Sequence, residues 1–136
     1  MKESLDKGLD FVLKWEGGYV NDPNDKGGET KYGISKRAYP NLDIKGLTLD
    51  EAKTIYRRDY WDVCKCDNLP YPMDILVFDT SVNMGVSRAS HILSESINSV
   101  DFIMNRIKRY VDFKGQVMEG WLNRVFDLYR TFVRPI

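Results

Sequence analysis

Residues 15–34 read Trp-Glu-Gly-Gly-Tyr-Val-Asn-Asp-Pro-Asn-Asp-Lys-Gly-Gly-Glu-Thr-Lys-Tyr-Gly-Ile, and this stretch decides the predicted fold. Residues 4–16 before it follow helical periodicity, with Glu16 on the same stripe as the apolar side chains. Gly17-Gly18 ends this helix, because glycine adopts the left-handed C-terminal conformation without strain. Residues 19–34 then alternate turn-forming and strand-prone residues, which predicts a small β-hairpin.

The rest of the chain predicts helices. A short helical segment is expected near residues 35–40, and the capping box Thr48-Leu-Asp-Glu51 opens a helix that runs to about Trp61. Pro72 lies in the first turn of a largely apolar helix that ends at Gly85. Further helices are predicted at residues 87–98, capped by Ser87, at 100–113 and at 116–132. The predicted fold class is therefore mainly α (α+β), with one small β-hairpin.

Composition indicates a single domain over residues 1–136 and excludes some partners. The 20 basic residues balance 20 acidic ones, so no strong field favours nucleic acid. No apolar run approaches membrane-spanning length, so we expect no membrane insertion. The N-terminus lacks the basic start and apolar core of a signal peptide, which predicts a chain made in the cytoplasm without one.

The sequence predicts no metal site. Cys64 and Cys66 offer two ligands where a structural zinc site needs four. A calcium-binding loop beginning at Asp22 would need oxygen ligands at its fifth and twelfth positions, where Lys26 and Gly33 stand. Calcium is therefore disfavoured too.

Glu16 and Asp25 are the candidate catalytic pair. Glu16 lies in the last turn of a helix and in line with its apolar face, and both the helix dipole and burial favour the protonated form that a general acid requires. Inverting glycoside hydrolysis places such an acid about 6.5–9.5 Å from a base, with a water between them. The hairpin could hold Asp25 at that distance, and Thr30 could orient the water. The alternatives are an ordinary helix-terminal glutamate and an aspartate that caps its own turn.

Four further residues are candidates for substrate binding. Tyr19, Tyr32 and Trp61 could stack on sugar rings, although packing in the core is the alternative for any aromatic side chain. Asn83 is a polar residue on a largely buried helix, so its side chain must find partners in a cleft or on the backbone.

The block Trp15–Pro23, followed by Asp25–Thr30 and Tyr32–Ser35, resembles the N-terminal signature of glycoside hydrolase family 108. Further matches are Tyr60-Trp61, Phe78–Gly85, Arg106 with Tyr110, and Gly120–Val125. The resemblance implies a lysozyme-like fold in which the hairpin forms one wall of the active-site cleft. It also implies an N-acetylmuramidase that cleaves the β-1,4 bond between N-acetylmuramic acid and N-acetylglucosamine in peptidoglycan, with Glu16 as catalytic acid and without metal or organic cofactor.

The resemblance also sets the expected organisation and setting. Residues 1–63 would hold the catalytic helix, hairpin and capping helix, and residues 64–136 a helical core with a shortened peptidoglycan-binding-like half. Phage endolysins are common in this family, which implies a monomer acting on peptidoglycan glycan strands in the periplasm or cell wall, with release through a separate holin-like protein. A binding module without turnover and a lytic transglycosylase remain the alternative functions.

Overall fold

The structure, a computed structural model, describes residues 2–24, 28–112 and 118–135. Within these ranges the helices are α1 (Lys2–Glu16), α2 (Leu49–Tyr56), α3 (Met73–Met84), α4 (Val86–Glu95), α5 (Ser99–Asp112) and α6 (Glu119–Leu128). The strands are β1 (Val20–Asn21), β2 (Glu29–Lys31) and β3 (Ile34–Ser35). Two π-helical turns, Arg57–Trp61 and Tyr129–Val133, extend α2 and α6, and a 3₁₀ turn spans Cys66–Asn68. The mainly α fold class is confirmed.

Helix α3 is the centre of the core. It packs against α1, α4 and α5, and every residue from Asp74 to Ser81 is buried. Its apolar side chains surround the helix on most sides, as expected for an element enclosed by neighbours. Phe78 makes edge-on ring contacts with Tyr56 and Trp61, which join α3 to the end of the α2 segment. The buried set also includes polar residues, and these form the site described below.

Helix α1 lies close against α3 and carries the candidate acid at its end. Leu5, Leu9 and Val12 are buried on its inner face. A side chain at Gly8 would begin only 3.1 Å from the Phe78 ring, so the two helices approach closely there. The helix ends at Glu16, and Gly17 follows with a positive φ of 77°. The predicted helix and its glycine stop are both confirmed.

The β-sheet has three antiparallel strands in the order β1-β2-β3, where the sequence predicted a single hairpin. Lys31 pairs with Ile34 across a two-residue turn formed by Tyr32 and Gly33. Both turn residues have positive φ, 54° and 78°, as a type I′ hairpin turn requires. The third strand was not predicted because a tyrosine at the first turn position is not a sequence signal for a type I′ turn.

The predicted helical segment near residues 35–40 and the predicted capping role of Ser87 were wrong. Residues 36–38 form a hydrogen-bonded turn rather than a helix, and the Ser35 hydroxyl accepts the Ala38 N–H at 3.1 Å. Ser87 lies inside the first turn of α4, which follows directly on Gly85. The capping box of α2 is confirmed, with reciprocal hydrogen bonds between Thr48 and Glu51. None of the described helices combines the length and apolarity needed to cross a bilayer.

Candidate active site

Glu16 is the last residue of α1, and its side chain is 23% exposed. It is therefore neither on the open surface nor sealed in the core. The turn at Gly33 packs directly on it: a Cβ at position 33 would lie 2.8 Å from the Cβ and 2.9 Å from the Cγ of Glu16. A side chain there would collide with Glu16 and also with the Tyr56 hydroxyl. The β-sheet thus reaches the candidate acid through a residue that must be glycine.

The turn is held in place by α2. The Tyr56 hydroxyl donates a 2.5 Å hydrogen bond to the carbonyl oxygen of Tyr32, which occupies the left-handed region. That conformation is costly for a residue with a side chain, and a partly buried hydrogen bond to its carbonyl stabilises it. The helix α2, the β2–β3 turn and the end of α1 therefore meet at Glu16.

On the opposite side, Glu16 forms an ion pair with Arg124 of α6. The Arg124 Nη1 donates to Glu16 Oε1 at 2.9 Å, and the arginine side chain is 7% exposed. The same guanidinium donates to Asp79 Oδ1 twice, from Nε at 3.1 Å and from Nη2 at 2.8 Å. Arg124 therefore bridges two carboxylates, one at the site and one inside the core.

Asp79 also binds a second buried arginine. Arg106 of α5 donates to Asp79 Oδ2 at 2.7 Å and to the Thr80 hydroxyl at 3.0 Å. Its Nε donates to the Tyr110 hydroxyl at 2.8 Å, and its Nη2 to Asn83 Oδ1 at 3.2 Å. The side chains of Asp79 and Arg106 have no solvent exposure. Two arginines and two carboxylates thus form one network that runs from the core to Glu16.

The electrostatics follow from this packing. Burial lowers the pKa of Arg124, but the charge and hydrogen bonds of Asp79, followed by those of Glu16, raise it by more, so its pKa lies above the ordinary value. Burial, followed by the charge of Glu16, raises the pKa of Tyr56. The pKa of Tyr60 is raised by burial, by Asp59 and by Glu16. Arg124 therefore stays charged, and both phenols stay protonated at neutral pH.

Of the other predicted site residues, Thr30 lies in β2 and Tyr19 directly precedes β1. Asp25 lies outside the described residues. Thr30 is half-buried in β2, where it pairs with Val20 and its hydroxyl lies 3.5 Å from the Val20 carbonyl oxygen. Tyr19 is 40% exposed, and its hydroxyl donates to Glu29 Oε2 at 2.5 Å. The hydrogen bond to Glu29, with smaller effects of desolvation and charge, raises the pKa of Tyr19.

Trp61 is not available for stacking on a sugar. Its side chain has no exposure, its ring packs edge-on against Phe78, and its indole N–H donates to Asp67 at 2.9 Å. The prediction of a substrate-binding role is therefore wrong for this residue, because the π-helical turn after α2 directs it into the core. Tyr32 is half-buried, with the Lys31 ammonium 5.6 Å from its ring centroid, and Asn83 belongs to the Arg106 network.

Sequence reasoning missed Asp79 and Arg124 as parts of the site. Each carried a signal. Asp79 lies on a helix that is apolar on most sides, and a buried carboxylate requires a cationic partner. Arg124 follows Trp121 by three residues and directly precedes Val125, so it lies on the core-facing stripe of α6. A charged residue on each of two core-facing stripes indicates an ion pair between those helices.

A small cavity adjoins the network where α3, α5 and α6 meet. Its volume is about 100 Å³. The residues that line it are Asn83, Met84, Arg88, Tyr110 and Trp121. In the described part of the chain, no group of three or more histidine, cysteine or acidic side chains is placed to hold a metal ion.

Known proteins place the chain in a family. The model of the glycosyl hydrolase 108 family matches residues 9–85, more than half of the chain. The chain belongs to glycosyl hydrolase family 108. As a family 108 member it is a glycoside hydrolase of the lysozyme-like, peptidoglycan-degrading kind. The matched segment contains Glu16, the Tyr32-Gly33 turn and Tyr56, so it spans three of the four elements that meet at Glu16, and α6 with Arg124 lies outside it.

A solved structure supports this family 108 assignment. SagA from Brucella abortus superposes with a TM-score of 0.75 at 27% sequence identity, over 94% of this chain and 92% of that chain. None of the curated proteins compared matches the chain. The predicted fold, a mainly α lysozyme-like domain with a small β-sheet, is therefore confirmed over nearly its full length.

Proposed function

We propose that this family 108 chain is an N-acetylmuramidase that hydrolyses the β-1,4 bond between N-acetylmuramic acid and N-acetylglucosamine. The observation that carries the proposal is the position of Glu16. It is a partly exposed carboxyl where a helix end, a sheet turn and a buried arginine meet. In the proposed reaction Glu16 gives its proton to the glycosidic oxygen, a water adds to the sugar carbon, and the proton of that water is taken up by a second carboxylate.

The ion pair with Arg124 has to be reconciled with a proton on Glu16. If Arg124 had only Glu16 as partner, protonating that glutamate would leave a buried guanidinium unpaired, which is strongly unfavourable. Arg124 instead keeps two hydrogen bonds to Asp79, whatever the charge on Glu16. With Glu16 protonated, Arg106 and Arg124 would share the single charge of Asp79, and the two hydrogen bonds to Asp79 would still hold Arg124, and with it the geometry of the site, in place.

Asp25 and Thr30 complete the proposal. Asp25 would stabilise the developing positive charge on the sugar or activate the water, and Thr30 would orient that water. Support for Thr30 comes from β2, the central strand, whose C-terminal turn packs on Glu16. Tyr19, which precedes β1, and Tyr32, which follows β2, would contact the glycan, and so would Asn83 of α3. Two carboxyls and a water suffice for this chemistry, so no cofactor is needed.

The setting that we propose is that of an endolysin. A chain of this kind would be made in the host cytoplasm, cross the inner membrane through a separate holin-like protein and act as a monomer on the cell wall. Residues 1–63 would supply the acid and the sheet, and residues 64–136 the helical support that includes Arg106 and Arg124.

The test is mass spectrometry of muropeptides released from purified cell walls by the unaltered chain and by Glu16→Gln. We expect reducing muramic acid ends from the unaltered chain and at least a hundredfold fewer products from the variant, the usual scale for losing a general acid. Glu3→Gln is the matched control, since Glu3 is an 86%-exposed glutamate on the same helix. It should release products at the normal rate.

Three outcomes would contradict the proposal. Products ending in 1,6-anhydro sugars would identify a lytic transglycosylase. Binding to cell walls without any release of products would identify a binding module. Normal release by Glu16→Gln would remove Glu16 from the acid role, whatever the products are.

A further inference from the structure

The cavity between α3, α5 and α6 is lined by both polar and apolar side chains. Asn83 contributes a side-chain amide, and Met84 an apolar thioether. Tyr110 and Trp121 contribute aromatic rings whose centroids are 5.2 Å apart at an angle of 31°. Arg88 completes the lining, and its Nη1 donates to the Met84 carbonyl oxygen at 3.1 Å. The cavity therefore combines polar side chains with mostly apolar walls, as ligand pockets do.

The orientation of the Asn83 amide follows from its neighbours. Arg106 has only donors, and its Nε–H bonds to the Tyr110 oxygen at 2.8 Å. The Tyr110 hydrogen then points to Asn83 Oδ1 at 2.6 Å, while Arg106 Nη2 donates to the same atom at 3.2 Å. Both neighbours therefore donate, so the accepting atom must be the oxygen. The Asn83 NH₂ group forms no hydrogen bond with another described residue and remains a donor at the cavity.

We propose that this cavity binds the acetamido group of one N-acetylated sugar of the glycan. An acetamido group presents a carbonyl oxygen that can accept from the Asn83 NH₂, and a methyl group that suits Met84 and the aromatic rings. The cavity volume of about 100 Å³ leaves room for such a substituent.

The pocket is coupled to the acid through α3. Asn83 and Asp79 stand four residues apart on one helix, so they share a face about 6 Å from each other. Asp79 holds Arg124, which holds Glu16. This inference rests on the proposed function, because it assigns the pocket to the substrate that Glu16 would cleave.

The ligand comparison uses the Glu16→Gln chain, which we expect to bind glycan without turnover. Its affinity is measured by titration calorimetry for two neutral β-1,4 tetramers, one of N-acetylglucosamine and one of glucose, which differ in the acetamido group. We expect the N-acetylated tetramer to bind about tenfold tighter or more, the effect of one well-placed hydrogen bond and a buried methyl. Equal affinities would overturn the proposal without any change to the pocket.

The protein comparison adds Asn83→Asp to that chain. Aspartate keeps an acceptor for Arg106 and Tyr110 but removes the NH₂ donor, so we expect the preference for the N-acetylated tetramer to disappear. Asn98→Asp is the control: it makes the same chemical change at an exposed residue, whose Oδ1 caps α5 by accepting the Asp101 N–H. It should keep the preference, and an unchanged preference in Asn83→Asp would contradict the inference.

The two proposals fail separately. Muramidase products from the unaltered chain, together with equal binding of both tetramers, would refute the acetamido pocket and leave the hydrolase proposal standing. A clear acetamido preference that depends on Asn83, in a chain that releases no muramidase products, would do the reverse. If Asn83→Asp does not fold, the comparison of the two tetramers on the Glu16→Gln chain decides.

Discussion

Replacing Asp79 by asparagine should destabilise the fold strongly, because this carboxylate compensates two buried cations. Arg106 and Arg124 donate three hydrogen bonds to it, and the three side chains are 0%, 7% and 0% exposed for Arg106, Arg124 and Asp79. Asparagine removes the negative charge and offers an NH₂ group to a donor-only guanidinium. Glu16 alone would then remain as a charged partner, and it reaches only Arg124.

The size of the effect can be worked out. Removing one partner from a buried ion pair costs about 3–5 kcal/mol. A domain of 136 residues has an unfolding entropy of about 0.29 kcal/mol/K near its midpoint. The loss therefore corresponds to a fall in Tm of about 10–17 °C. Differential scanning calorimetry at neutral pH measures it directly, provided that unfolding is reversible.

Asp74→Asn is the matched control. Asp74 lies on the same helix and is equally buried, but its Oδ1 accepts only the Ile75 N–H, and its Oδ2 has no hydrogen-bond partner in the described parts of the chain. Its replacement should shift stability by less than about 1 kcal/mol, or about 3 °C. If both variants lose the same few degrees, the two arginines do not depend on Asp79, and the network does not hold Glu16 in place.

Two other substitutions test the surroundings of the acid. Gly33→Ala should lower the free energy of unfolding by roughly 2–4 kcal/mol and remove most of the activity, since the added Cβ meets Glu16. Gly28→Ala is the control: Gly28 has a similar φ of 68° but open space around it, so the loss of stability, followed by the Tm, should be only about 1–2 kcal/mol. Asp127 bonds Lys14, and although burial opposes this, the partners lower its pKa. Its stabilisation is therefore complete above about pH 4 and falls away as the pH drops through the lowered folded pKa, so Asp127→Asn should lower the Tm by a few degrees at pH 7 and by progressively less on acidification.

The elements of the fold could be predicted because their signals are local. The apolar stripe that ends at Gly17, the Thr48–Glu51 capping box and the helix preceding Gly85 each occupy a few turns of chain. The β2–β3 turn could not, because its conformation is set from outside. Tyr32 takes a positive φ that a tyrosine rarely adopts, and the hydroxyl of Tyr56, 24 residues later, supports it.

Only the part of the site formed by Glu16 and the β-sheet could be predicted from the sequence. Glu16 and the sheet lie close together in sequence, so a glutamate at a glycine stop followed by strand-prone residues indicates their meeting. Arg124 lies 108 residues from Glu16 and 45 from Asp79, and helical periodicity shows only that it faces the core. Which acid it meets depends on how α1, α3 and α6 pack. Trp61 was misassigned for the same reason, because an aromatic residue at a helix end has no local signal for inward or outward direction.

The long-range half of the site also explains why its parts are not interchangeable. Lysine at position 124 would keep the charge but could not supply the planar fork that bonds Asp79 from Nε and Nη2 while Nη1 reaches Glu16. An ammonium group would pair with one carboxylate and leave the other buried or misplaced. Arg124 is anchored at Asp79 by two hydrogen bonds that do not involve Glu16, so the proposed change of charge at Glu16 would leave the arginine held in place. The separate contacts of Arg124 with Asp79 and with Glu16 follow from the geometry of one guanidinium group.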